Sequence, residues 1–126
     1  MPNLTLEYTD NLDFDVQSLL ERLHTELVAT GAINLKGLKS RVVQYSDYRI
    51  ADGNQEYAFV SVNLLIREGR PVKVQKDMTQ RVMTVLKEMF GERFENGYLS
   101  LTVDIKEMRD GVALTFHNIP DLGKQP

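Results

Sequence analysis

Chemistry in this sequence of 126 residues starts at Pro2, which directly follows Met1. A small second residue lets the initiator methionine be removed, and the chain then begins with the secondary amine of proline. An α-amino group titrates near ~7.7 to 8.0, and burial or neighbouring cations lower that value by disfavouring the protonated form. Such a nitrogen is unprotonated at neutral pH and can serve as a base or a nucleophile. While Met1 remains attached, the same nitrogen is a tertiary amide with no basic lone pair. The second ingredient is positive charge. Lys39 and Arg41 alternate onto one face of an expected strand, and Arg70 lies in a loop between Gly69 and Pro71. Arginine grips a carboxylate through two parallel N–H bonds, so these three side chains are the candidate binders of a small carboxylate. Arg67, Arg81 and Arg93 are equally suited by type.

The remaining chemical residues are few. His24 falls at the border of an expected helix and His117 in the tail, neither with a ligand at helical spacing, and there is no Gly-rich phosphate loop and no triad signature. With no cysteine in the chain, disulfides, thiolate zinc sites and cysteine nucleophiles are excluded together. We therefore expect no catalytic metal. Tyr45, Tyr57 and Phe59 could line an apolar pocket, although core packing is the default for aromatic side chains.

Positioning these groups falls to strands and helices that can be read from periodicity. Leu4, Leu6 and Tyr8 alternate with Asn3, Thr5 and Glu7, a strand with one buried face. Val16, Leu19, Leu20, Leu23, Leu27 and Val28 follow helical spacing, which predicts a helix over Asp15 to Thr30. Leu38 to Tyr45 alternates again, and Ala51-Asp52-Gly53-Asn54 reads as a turn. The pattern then repeats. Tyr57 to Ile66 predicts a strand, Pro71 suits a helix entrance, and Met78, Val82, Val85, Leu86, Met89 and Phe90 form a helical stripe that stops before Gly91. Leu99, Leu101, Val103 and Ile105 mark the last strand.

The order strand, helix, strand thus occurs twice, with a step of about 55 residues. Each half reads as a βαβ unit spanning about 2–50 and about 57–110. Together they give an α+β domain over 1–126, with one four-stranded sheet and both helices on one face. Ile50, the strand from Val60 to Ile66 and the segment Val112 to Phe116 offer more apolar surface than two helices hide. We expect the open face to pack on neighbouring subunits, with 111–126 at the interface.

Composition narrows the partners. Lys and Arg number 15 against 18 Asp and Glu, a net charge of −3, so the positive field of a nucleic-acid binder is missing. Apolar runs are too short to span a bilayer, and the start lacks the basic and apolar regions of a signal peptide. A reducing cytoplasm fits the lack of cysteine.

Met1-Pro2 leading into a strand, Glu7-Tyr8-Thr9-Asp10-Asn11, Ala29-Thr30-Gly31, Gly37 through Val42, Ala51-Asp52-Gly53, Tyr57 through Val60 and Gly69-Arg70 resemble, in order and spacing, the 5-carboxymethyl-2-hydroxymuconate Δ-isomerases of the tautomerase superfamily. The resemblance implies a homotrimer of fused βαβ units with an active site at each subunit boundary. It implies a cofactor-free isomerase of homoprotocatechuate catabolism that converts a carboxylated 2-hydroxy dienol to its conjugated 2-oxo isomer. Pro2 then matches the catalytic terminal proline, Arg70 a family arginine that binds a substrate carboxylate, and Arg41 lies where the family places another cation. Lys39 departs from relatives that carry arginine there. The alternatives are a non-catalytic trimer of the same fold that binds a small carboxylate, and hydration or dehalogenation of an unsaturated acid by the same proline.

Overall fold

A computed structural model describes residues 2–121. The first strand, β1 (Asn3–Thr9), sends Leu4, Leu6 and Tyr8 to one side, and all three are buried there. Helix α1 (Val16–Ala29) begins where the Asp15 side chain accepts a bond of 3.0 Å from the Ser18 backbone N–H, which satisfies one of the free donors of the first turn. It ends at Thr30, and Gly31 takes φ of 80° with its N–H bonded to the Val28 carbonyl. Glycine suits that left-handed position because it has no Cβ to clash. A single 3-10 turn over Leu35–Gly37 then leads into β2 (Lys39–Tyr45). The second half runs through β3 (Tyr57–Arg67), α2 (Val72–Asn96) and β4 (Tyr98–Met108).

The strands form one sheet in the order β2-β1-β3-β4. β1 runs parallel to β2 with Asn3 opposite Lys39, and β3 runs parallel to β4 with Tyr57 opposite Tyr98. The two βαβ units meet antiparallel in the centre, where Asn3 faces Leu65 and Tyr8 faces Val60. One end of the sheet therefore gathers the starts of β1 and β2 with the finishes of β3 and β4. The other end gathers the reverse.

Leu19, Leu23 and Leu27 of α1 and Met78, Val82, Val85 and Leu86 of α2 pack with the even-numbered residues of β1 and β3 into one core. Phe14 bridges it at one end, with its ring centroid 4.8 Å from that of Tyr8 and 5.0 Å from that of Phe90, both edge to face. Arg22 with Glu88 and Arg81 with Glu26 link the helices outside the core.

Two expectations need correction. Val60, Val62, Leu64 and Ile66 all point to the helices and are buried, so of the stretch from Val60 to Ile66 only Leu65, 38% exposed, adds large apolar surface to the open face. The open face instead carries Asn3, Thr5, Glu7, Lys39, Arg41, Ser61 and Asn63 beside Val43, Tyr45, Phe59 and Leu65, by register with the buried set. Large apolar side chains are exposed beyond it, on Val112, Leu114 and Phe116. Helix α2 also passes Phe90, where φ of −113° and ψ of 15° make a kink, and continues to Asn96. The extra turn is held by Arg93, which donates bonds of 2.9 Å to the carbonyls of Asn11 and Glu56. Residues 122–126 of the expected interface segment lie outside the described residues.

Candidate active site

Pro2 stands immediately before β1 and is buried. Its carbonyl accepts a 3.2 Å bond from the Lys39 backbone N–H, so the parallel pairing of β1 with β2 fixes the chain start rather than leaving it as a loose arm. The same bond places Lys39 beside Pro2. Arg41, two residues along β2, is on the open face and donates a 3.0 Å bond from Nη2 to Oδ1 of Asn3.

Arg70 reaches this end of the sheet from the loop after β3. Its Nε and Nη2 both donate to the Ala32 carbonyl, at 3.3 and 2.8 Å, and Nη1 donates to the Arg67 carbonyl at 3.1 Å. A guanidinium carries five N–H donors, so these contacts orient the fork and leave two for a ligand. Gln75 holds the loop from behind by donating to the Arg70 carbonyl at 3.0 Å. Gly69 enters it with φ of 113°, a conformation that a side chain disfavours.

Pro2, Lys39, Arg41 and Arg70 thus come to the same end of the sheet, from three separate stretches of sequence. Two of the other arginines are used elsewhere. Arg81 bonds Asp77 one turn back on α2 at 3.0 Å and Glu26 across on α1 at 3.3 Å, and these carboxylates, Asp77 first, raise its already high pKa. Arg93 is the clamp at the far end. Arg67 remains at the Pro2 end as the last residue of β3.

The aromatic candidates do not join them. Tyr45, Tyr57 and Phe59 sit at the opposite end of the sheet, with Tyr45 and Tyr48 rings 6.2 and 6.4 Å from Phe59 and Tyr57 stacked edge to face on Tyr98 at 5.4 Å. Tyr45 lies at the finish of β2, parallel to β1, and Tyr57 and Phe59 lie at the start of β3, which runs antiparallel to β1. Tyr45 donates to Glu7, and this bond, with lesser contributions from burial and the Glu7 charge, raises the tyrosine pKa. Asn63 donates to the other Glu7 oxygen at 3.4 Å.

Periodicity also could not foresee the pair of His24 Nε2 and Ser40 Oγ, 2.8 Å apart across α1 and β2. The pair lines a cleft of about 580 Å³ with Gln17, Glu21, Thr25 and Leu35. Burial lowers the His24 pKa, which favours the neutral ring. His117 is exposed, with Nδ1 accepting from the Ile119 N–H at 3.1 Å.

None of five concavities described on the chain is lined by Pro2, Arg41 or Arg70. Among the described residues no helix is long and apolar enough to cross a membrane.

Comparison with known proteins bears on this geometry. The family model for 5-carboxymethyl-2-hydroxymuconate isomerase matches residues 2–122. The 5-carboxymethyl-2-hydroxymuconate Delta-isomerase of Escherichia coli is 29% identical over 126 residues, covering 98% of this chain and all of that one. A crystal structure of a 5-carboxymethyl-2-hydroxymuconate isomerase from Deinococcus radiodurans R1 superposes with a TM-score of 0.89 at 33% identity, over 94% of this chain and 90% of that one. A fused 4-OT solved as a symmetric trimer shares the fold alone, with a TM-score of 0.72 at 16% identity over 94% of each chain. The duplicated βαβ sheet of the tautomerase superfamily, matched along nearly the whole sequence, makes the chain an isomerase that belongs to the 5-carboxymethyl-2-hydroxymuconate isomerase family.

Proposed function

We propose that the protein isomerises 5-carboxymethyl-2-hydroxymuconate or a closely similar dienol, with the amine of Pro2 as its general acid and base. The observation that carries this reading is the placement of Pro2, buried at the head of β1 and bonded through its carbonyl to Lys39. Once Met1 is removed, the imino nitrogen takes the proton of the substrate 2-hydroxyl. Electrons shift along the conjugated chain to make the 2-oxo group, and the proline returns a proton to carbon. A base of this kind works best with a pKa near the operating pH, and cations beside it move an amine in that direction.

Arg70 is the group we assign to a substrate carboxylate, through the donors its carbonyl contacts leave unused. Lys39 and Arg41 add positive charge where the dienolate develops, and such fixed charge stabilises an intermediate more than it does a neutral ground state. Lysine at position 39 offers a point charge where arginine would offer a fork. The proposed setting is aromatic catabolism through homoprotocatechuate, in the cytoplasm, in a homotrimer whose neighbouring subunits close the site that one chain leaves open. No cofactor enters this scheme.

The test compares the processed chain, which begins at Pro2, with a form that keeps Met1, following loss of dienol absorbance. Acylation removes the base and leaves the fold, so the rate falls about 100- to 10,000-fold, the usual contribution of general acid–base catalysis. Pro2→Ala, which keeps an amine, falls between the two. Equal rates for the processed and Met1-bearing forms overturn the reading.

A further inference from the structure

Arg70 and Pro2 are both tied to one stretch of chain, the linker from α1 to β2. At its finish the Lys39 N–H bonds the Pro2 carbonyl, and near its start the Ala32 carbonyl takes two bonds from Arg70. Those two come from Nε and Nη2, which share one edge of the planar guanidinium, so the direction of the Ala32 carbonyl sets the plane in which the fork lies. With Nη1 on the Arg67 carbonyl, one N–H is left on each terminal nitrogen, enough for a two-bond grip on a carboxylate. The fork therefore points where Ala32 lets it point.

Ala32 is held in turn by the residue two positions before it. Thr30 donates from Oγ1 to the Leu27 carbonyl at 2.6 Å, and the Ala32 N–H donates to the same Thr30 oxygen at 3.2 Å. A hydroxyl has one proton and two lone pairs. With the proton committed to Leu27, a lone pair serves the linker, and Ala32 is pinned through its N–H by Thr30 and through its carbonyl by Arg70. The next residue, Ile33, is buried in the core, which anchors the linker just past this point. Capping of α1 needs only the Leu27 bond. The Ala32 bond lies outside the helix and leads to the site.

We propose that Thr30 is a positioning residue for Arg70, its hydroxyl aiming the guanidinium through the Ala32 backbone. The proposal rests on the reading of Arg70 as the group that takes a substrate carboxylate. Gln75 grips the Arg70 carbonyl from α2 and fixes where the side chain starts, while Thr30 fixes where it ends. Groups that act on a substrate need such support, because a small displacement weakens every bond they make.

Two substitutions in the processed chain separate the hydroxyl from its shape. Thr30→Val keeps the branched side chain and removes the hydroxyl, and Thr30→Ser keeps the hydroxyl. Thr30→Val is expected to raise KM for the dienol about two- to tenfold, the worth of one net hydrogen bond, with kcat changed less and Thr30→Ser near the parent. In an Arg70→Ala background Thr30→Val is expected to raise KM no further, since the group it aims is gone. A purely structural role makes the two effects additive. That result overturns the proposal, as does an unchanged KM in Thr30→Val when Arg70→Ala raises it. The second readout needs no substrate: the Arg70 Nε–H signal in nitrogen-edited proton NMR, expected to exchange slowly with water in the parent and Thr30→Ser and faster in Thr30→Val. Equal exchange in all three chains overturns the positioning role. Faster exchange in Thr30→Val, with KM unchanged by Arg70→Ala, supports the positioning of Arg70 and overturns its assignment to a substrate carboxylate.

Discussion

At the scale of single residues, His24 makes a pH dependence that is separate from catalysis. Its ring is half-buried against Ser40, and burial lowers its pKa below the ordinary value of 6.5. The folded protein thus holds the neutral ring while the unfolded chain takes up a proton as pH falls below about 6.5. Between the two values the unfolded state binds more protons, so stability declines as pH falls through that window and levels off below the folded pKa. The melting temperature should drop between pH 7.5 and 5.5, and His24→Gln, which cannot titrate, should flatten that drop. An unchanged slope in His24→Gln would assign the dependence to other groups. Arg70 invites a different prediction, because its guanidinium braces a loop through three of its five N–H donors and keeps two for a ligand. Arg70→Ala should raise KM for the dienol about tenfold or more, the loss of a charge-assisted contact worth ~1.5 to 3 kcal/mol, while kcat falls less. Steady-state kinetics check the split.

At the scale of elements, the caps and kinks set where site residues land. Asp15 holds the start of α1 through its bond to the Ser18 N–H. Asp15→Ala should cost about 1 kcal/mol, in the range found for lost N-caps, and urea unfolding should show a lower midpoint with unchanged slope. Such elements were legible because their signals are local. Alternation marked β1 and β4, the Leu19-Leu23-Leu27 spacing marked α1, and Gly31 marked its end. The missing parts depend on contacts between distant residues. Whether the two βαβ units join parallel or antiparallel is set by the pairing of Asn3 with Leu65, which no window of sequence contains, and that choice sends Tyr57 and Phe59 away from Pro2. The extra turn of α2 past Phe90 likewise depends on Arg93 reaching Asn11 and Glu56. Of the candidate site, the residue types and their strand positions were readable. Their convergence on one sheet end required the fold.

At the scale of the whole molecule, duplication yields two sheet ends of different chemistry, with Pro2, Lys39, Arg41 and Arg70 at one and Tyr45, Tyr57, Phe59 and the Arg93 clamp at the other. The Pro2 end holds Lys39, Arg41 and Arg70, yet none of the five concavities described on the chain is lined by Pro2, Arg41 or Arg70. A dienolate is stabilised best where water is excluded and the charges act through a low dielectric. The sheet end supplies the charges, and in the proposed homotrimer the neighbouring copy provides the wall that excludes water. Activity per chain should then depend on concentration. In a dilution series, specific activity should stay constant while light scattering reports the assembled mass, and fall in step with the appearance of monomer. The melting temperature should decline over the same range, since assembly stabilises the folded chain by mass action. Processed chains that keep full specific activity as monomers would place the entire site within a single sheet, and the wall would have to come from the chain itself.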